Sequence, residues 1–480
     1  MGDRFRPISM EQLTDWVFDE LETRDSIFGV PRSAFFVPDA ADRFRRSVYG
    51  QTLDTPFGVA AGPHTQMAQN IIVSWLVGAR FIELKTIQTL DELEIAKPCI
   101  DVEDEGYNVE WSLELKVFES FDEYLRAWVL VHALHRKLGF EGARPGVIFN
   151  MSVGYDLAGI QQPNVQWYLD TMADASAYLP AYLEIVARRC PEVREVEIPS
   201  CVSDTITLST MHGCPPDEIE QITLYLLQDR KLHTSVKCNP TLLGPDRVRG
   251  IVNDDLGFSD VPVPDEAFGH DLKYVDAVPM FHNLRRVAAA EGVQFGLKLS
   301  NTLEVENWRT HFEGDGMMYL SGRALHPVTT NLAAKLTEEF RGAIMLSYAG
   351  GADCFNVAEL LAAGMSTVTV CSDLLKTGGY LRLSQYIEEL GRAMDAGGAT
   401  DLDDLVARQA LQHDGFAEFV PLLRWSAMTD STLALDADAC VALGAALLED
   451  DGRPEDVVRA WADSQGFDDA HAEALVVLVQ

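Results

Sequence analysis

Apolar positions along this chain follow two alternating rhythms. Short apolar runs recur at Phe57–Ala61, Phe81–Ile87, Gly146–Ser152, Thr205–Ser209, Thr234–Asn239, Gln294–Leu299, Ala343–Ser347 and Ser366–Cys371. Between them lie stretches with apolar residues at helical spacing, among them Ala68–Val77, Phe121–Leu138, Pro216–Leu227 and Asn356–Ala363. Strand–helix alternation predicts a parallel sheet, because a parallel neighbour needs a crossover and a helix supplies it. Eight such units over this length predict an α/β chain folded as a (β/α)8 TIM barrel. An open doubly wound sheet is the alternative. It would carry a glycine-rich turn after the first strand, and Ala60-Ala61-Gly62-Pro63-His64 is no G-x-G-x-x-G.

The rhythm also sets the expected boundaries. Residues 1–50 read as an amphipathic helix (Leu13, Trp16, Val17, Leu21) followed by an irregular arm with Gly29 and Pro31. Such an arm suits a cap, a barrel-closing lid or an oligomer contact. The barrel is expected over 51–395, with insertions at about 88–145 and 155–204 that suit lids or partner surfaces. Ala396-Gly397-Gly398 breaks the pattern. Residues 396–480 then read as a small helical appendage suited to partner docking.

Composition narrows the partners. The net charge is −36, from 74 acidic against 38 basic residues, which argues against nucleic acid and anionic membranes. No run of 18 apolar residues is present, so no membrane span is expected. Met1–Pro7 is polar, and the eight cysteines are scattered without a C-x-x-C pair. That usage predicts reduced cytoplasmic thiols and no metal or iron–sulfur site in this chain.

Polar residues at the C-terminal ends of barrel strands are where such folds place their chemistry. Lys85, Lys237 and Lys298 stand in otherwise apolar strands and suggest a bound anion or an electron-rich ring, although a lone lysine there can also snorkel to the rim. Asn150, Asn239 and Asn301, with Thr302, offer paired donor and acceptor edges that suit an amide-bearing heterocycle; any one alone could be a turn residue. Gly350-Gly351 after strand seven and Cys371-Ser372 after strand eight suit a phosphate held by backbone N–H groups. The stretch Ser209-Thr210-Met211-His212-Gly213-Cys214-Pro215-Pro216 joins a strand to a helix. Cys214 is thereby expected just before a helix N-terminus, where a thiol pKa falls, and is a candidate acid or base; a small residue beside a proline kink is the plain alternative. His64 and His212 lie in loops near strand ends, where a structural role is favoured over a catalytic one.

Thr55–Gly62, Lys85-Thr86, Asn150, the loop cysteine, Lys237, Ser300-Asn301-Thr302, Gly350-Gly351 and Cys371-Ser372 resemble the FMN barrels of dihydroorotate and dihydropyrimidine dehydrogenases. More closely, residues 1 to about 395 resemble the N-terminal FMN-barrel part of the bacterial selenate reductase iron–sulfur subunit family, flavoproteins associated with anaerobic purine use. Gly62–Gln66, Phe81–Thr86, Leu208–Pro216 and Asn239–Gly244 carry that likeness. It implies an FMN-dependent oxidoreductase reducing a C=C or C=N bond of a purine-like N-heterocycle, with urate favoured. Dihydropyrimidine or dihydroorotate oxidation, and a non-catalytic electron relay, are the alternatives.

In roles, the resemblance implies catalysis by Cys214, His212 and Lys85. It implies FMN contacts from Ala61, Gly62, Lys85, Thr86, Asn150, Lys237, Ser300, Gly350, Gly351, Cys371 and Ser372. Substrate contacts would come from His64, Glu110, Ser209, Asn239, Asn301 and Thr302. Longer members of the family continue into iron–sulfur and FAD domains that this chain lacks, so the electrons are expected from a partner subunit carrying those groups; a homo-oligomer is left open. Two departures stand out: Ser209 replaces an asparagine, and the cysteine is shifted by about two positions along its loop.

Overall fold

In the computed structural model, every one of the eight apolar runs contains a strand. Residues 5–39, 43–87, 100–102, 107–109, 115–209, 213–308, 316–411, 443, 454–466, 472 and 475 are described. We label the barrel strands β1 (Phe57–Val59), β2 (Phe81–Glu83), β3 (Ile148–Val153), β4 (Thr205–Leu208), β5 (His233–Cys238), β6 (Phe295–Leu299), β7 (Met345–Tyr348) and β8 (Thr367–Val370). They pair in sequence order, all parallel, and β8 pairs with β1 to close the barrel. The strands read as unbroken apolar runs because both of their faces are covered. Gly58 is required at the β1–β2 contact: a Cβ there would lie 1.7 Å from the Phe81 carbonyl oxygen.

Helices form the outer layer. Val117–Leu138 lies between β2 and β3 and packs on Ala68–Leu76 and Pro163–Ala173. Its stripe of Phe121, Tyr124, Leu125, Trp128 and Leu134 is buried. Gly139 ends it in the left-handed conformation that glycine adopts without strain. The N-terminal helix Met10–Arg24 starts at a Ser9/Gln12 capping box and packs on Leu179–Val186.

The arm that follows has an identifiable place. A hairpin of Arg46–Val48 and Gln51–Leu53 covers the N-terminal end of the barrel. Val48, Tyr49 and Leu53 pack on Phe81 and Ile148, and the Tyr49 hydroxyl bonds the Ser235 hydroxyl at 2.6 Å. Behind it, Asp54 pairs with the buried Arg80 at 3.3 Å.

At the C-terminal end the loops after β2 and β6 combine. Ile100–Val102 and Tyr107–Val109 join Leu303–Glu306 and Met317–Leu320 in a four-stranded sheet. The part of this sheet after β6 was not foreseen. Its strands are four residues each, too short to stand out by periodicity. Leu402–Leu411 packs on Val357–Ala362 and Leu383–Gly397. No helix among the described residues is long and apolar enough to cross a membrane.

Candidate active site

Three lysines converge from β2, β5 and β6, and they are not equivalent. Lys298 is fully buried and forms an ion pair with Glu83 at 3.0 Å. It also donates to the Ser347 hydroxyl at 3.0 Å and to the Thr369 hydroxyl. Thr369 in turn donates to Glu83 at 3.1 Å. Burial pulls the Lys298 pKa down, Glu83 opposes this, and Lys237 adds to the depression. The expected ligand role for Lys298 is therefore corrected. Its donors are spent on tying β2, β6, β7 and β8 together inside the barrel.

Lys237 is different. Its side chain is half-buried, and its ammonium makes no hydrogen bond among the described residues. Burial lowers its pKa, and the negative groups of Glu83 and Cys371 act against that. Lys85 is buried at the end of β2, where its carbonyl accepts from Tyr124 at 3.1 Å.

Lys237, Asn239 and Cys214 line one cleft of about 320 Å³ including its open side, with Asp271 and Leu242. Cys214 precedes the helix Pro216–Gln228 as its sequence implies. The expected depression of its pKa does not follow. Burial first, then Glu218, Asp217 and Asp156, push the thiol up to about 12. Burial disfavours the thiolate, and the acidic first turn that suits the helix dipole adds negative charge around the sulfur. Asp271 fixes this loop: one carboxylate oxygen accepts from the Gly213 amide at 3.2 Å and the other from the Thr241 hydroxyl at 2.7 Å. Sequence reasoning missed Asp271. The only signal was its neighbour His270, which bonds Glu304 at 2.9 Å.

The strand-end hydroxyls form a chain. Thr86 meets Ser152 at 2.9 Å, and Ser152 donates to Ser209 at 3.4 Å. Asn150 is fully buried; its Nδ2 donates to Thr207 at 2.8 Å, and its Oδ1 has no partner among the described residues. Asn301 donates to Asn239 at 3.1 Å, so those two amides form one patch, next to Thr302 in the chain. Ser300 bonds Thr329 at 3.0 Å.

Gly350 and Gly351 both adopt left-handed φ, +143° and +82°. A Cβ on Gly351 would lie 2.6 Å from the Gly322 carbonyl oxygen, so this turn demands glycine. Neither amide donates to a backbone acceptor among the described residues. Ser372 faces Ser321 across 3.4 Å. Cys371 turns instead to His64, Sγ to Nδ1 at 3.3 Å, and a Cβ on Gly62, the residue after Ala61, would lie 3.3 Å from that sulfur. His212 and Glu110 lie outside the described residues.

Three comparisons bear on this arrangement. A family described as "Oxidoreductase YgfK, N-terminal TIM-barrel domain" matches residues 28–414. YgfK of Escherichia coli strain K12 is 44% identical over 422 residues, covering 84% of this chain and 40% of its own length. YgfK of E. coli O157:H7 matches to the same extent. The chain thus spans about 40% of the length of the curated relatives it matches. Among solved structures, a ligand-free DHODH from Eimeria tenella overlays 85% of this chain and 99% of its own, at 15% identity and a TM-score of 0.49.

Proposed function

This chain belongs to the family of the N-terminal TIM-barrel domain of the oxidoreductase YgfK, and from that premise we propose that it is an FMN-dependent oxidoreductase. Its proposed reaction is reduction of a C=C or C=N bond in a purine-like N-heterocycle, with urate favoured. One observation carries the reading. Among the described residues the buried Asn150 amide oxygen has no partner, and two strands away the half-buried Lys237 ammonium has no hydrogen bond. A buried acceptor left unpaired costs about 1–3 kcal/mol, which points to a ligand N–H in the barrel mouth.

The donor set fits FMN. Asn150 can accept from a flavin imide N–H, and Lys237 and Lys85 suit an electron-rich ring. The left-handed Gly350-Gly351 turn offers N–H groups to a phosphate, with the Ser372 hydroxyl beside it. Bound there, FMN would supply hydride-transfer chemistry.

The rest is the work of this chain. Cys214 holds its proton across the neutral range because burial, and then its acidic neighbours, disfavour the thiolate. It is therefore a general acid that transfers only to a strongly basic atom, such as the carbanion or amide nitrogen that hydride addition creates. Asp271, through Gly213 and Thr241, keeps that thiol on the Lys237–Asn239 side of the mouth. Asn239 and Asn301, paired, present an amide edge to a lactam-type ring. Electrons are proposed to come from an iron–sulfur/FAD partner; the scattered cysteines support placing clusters outside this chain.

Titrating FMN into the flavin-free protein, with flavin fluorescence as the readout, tests the site. Saturable binding is expected, at least ~10-fold weaker in Asn150→Ala and Lys237→Ala variants with unchanged circular dichroism. Absence of saturable binding by the wild type would overturn the proposal.

A further inference from the structure

The mouth holds a second thiol that the proposed chemistry does not use. Cys371 follows the C-terminal end of β8, is half-buried, and places Sγ 3.3 Å from Nδ1 of His64. His64 is itself 9% exposed and held from two sides. Its carbonyl accepts from the Tyr380 hydroxyl at 3.1 Å, and its ring meets the Tyr380 ring edge-on at 5.9 Å. With Nδ1 on sulfur and the ring fixed, this is the arrangement in which a thiol passes its proton to an imidazole. We propose that Cys371 and His64 form a thiolate–imidazolium pair, a nucleophilic site open to carbon electrophiles such as activated alkenes.

The surroundings favour the charged pair. Among the described residues, the ionisable groups facing Cys371 are His64 from the loop after β1, Lys85 from just past β2, Lys237 from β5 and Tyr380 from the segment after β8. Burial alone would raise the thiol pKa; His64, then Lys85 and Lys237, reverse this and leave it lowered. His64 moves the opposite way. Burial would lower its pKa, Cys371 more than compensates, and Lys85 partly opposes the net rise. The two directions agree, and Cys214, raised by burial and then by Glu218, Asp217 and Asp156, goes the other way.

The step balances. Thiolate sulfur bonds to the β-carbon of the alkene, whose π pair moves to the α-carbon. That carbon takes the Nδ1 proton of His64, leaving a thioether and a neutral imidazole. No oxidant or reductant is required.

The experiment is N-ethylmaleimide labelling of the purified full chain between pH 6 and 9, with each cysteine followed by peptide mass spectrometry. An ordinary thiol slows about 200-fold from pH 9 to pH 6. Cys371 is expected to slow less than ~10-fold, while Cys214 stays slow throughout. The thiolate absorbance near ~240 nm at pH 7 should fall in Cys371→Ser, which detects the thiolate even where the reagent is hindered. In His64→Gln the steep profile should return.

A steep Cys371 profile in the wild type would overturn the proposal. So would equal absorbance in wild type and Cys371→Ser. A flat profile that survives His64→Gln would refute the pair, since the lysines would then hold the thiolate. Thiolate absorbance without labelling would refute the nucleophilic role. None of these readings depends on FMN binding, so the proposed function can fail separately.

Discussion

Replacing Lys298 by methionine should destabilise the barrel without acting on a ligand. The Nζ lies 3.0 Å from Glu83, with both side chains less than 5% exposed. At an effective dielectric of about 20 such a pair attracts by about 5 kcal/mol, most of which offsets the desolvation of two ions. Removing only Lys298 leaves Glu83 buried among Thr369 and Tyr49, a loss of about 3–5 kcal/mol when nothing compensates. Lys237 is close enough to Glu83 to be coupled to it, which places the expectation toward 3 kcal/mol. Urea unfolding followed by circular dichroism reads this as a lower midpoint at unchanged slope. The double variant Glu83→Gln/Lys298→Met should recover at least ~2 kcal/mol, because no unpaired charge remains. FMN affinity in Lys298→Met should stay within about threefold of wild type. A Lys298→Met protein within ~1 kcal/mol of wild type, or additive single variants, would refute the reasoning.

Three further outcomes follow from particular contacts. Asp271→Asn weakens the acceptors for Gly213 and Thr241, so amide exchange at Gly213 and Cys214 should quicken by an opening free energy of about 1–3 kcal/mol, and barrel strands should keep their protection. His132 is buried against Trp128, and burial lowers its pKa to about 4. Its neutral form is favoured by the fold, so its contribution is complete above the unfolded value near ~6.5 and is lost as pH falls toward 4. That loss is about 3 kcal/mol, and the unfolding free energy of His132→Leu should fall less steeply over the same window. Gly351→Ala places a Cβ against the Gly322 carbonyl at a φ of +82°; FMN affinity should drop at least ~10-fold, and unchanged affinity would remove this turn from the proposed phosphate site.

The barrel was legible because its signal is periodic. Eight apolar runs alternate with helical stretches, and a chain with that pattern has few other ways to cover both faces of a sheet. The sheet beside the mouth was not, since its strands are short and its pairings join loops far apart in sequence. Lys237 and Lys298 show the same limit at the site. They are register partners on adjacent strands, and both interrupt apolar runs. Periodicity cannot reveal that Glu83 forms its 3.0 Å ion pair with Lys298 and acts on Lys237 only through its charge. Cys214 was located by its loop, but its acidity depended on Asp156 and on desolvation as well as on the helix end. The Cys371–His64 contact spans 307 positions, and no local pattern announces it.

Under the proposed function this mouth, with FMN bound, would hand electrons to a purine-like ring. The most direct measurement is the visible spectrum of the FMN-loaded protein, reduced anaerobically and then mixed with urate. The flavin band near ~450 nm should bleach on reduction and return with urate in wild type, and return far more slowly in Cys214→Ala. A bound flavin that stays bleached with urate in the wild type would contradict the claim.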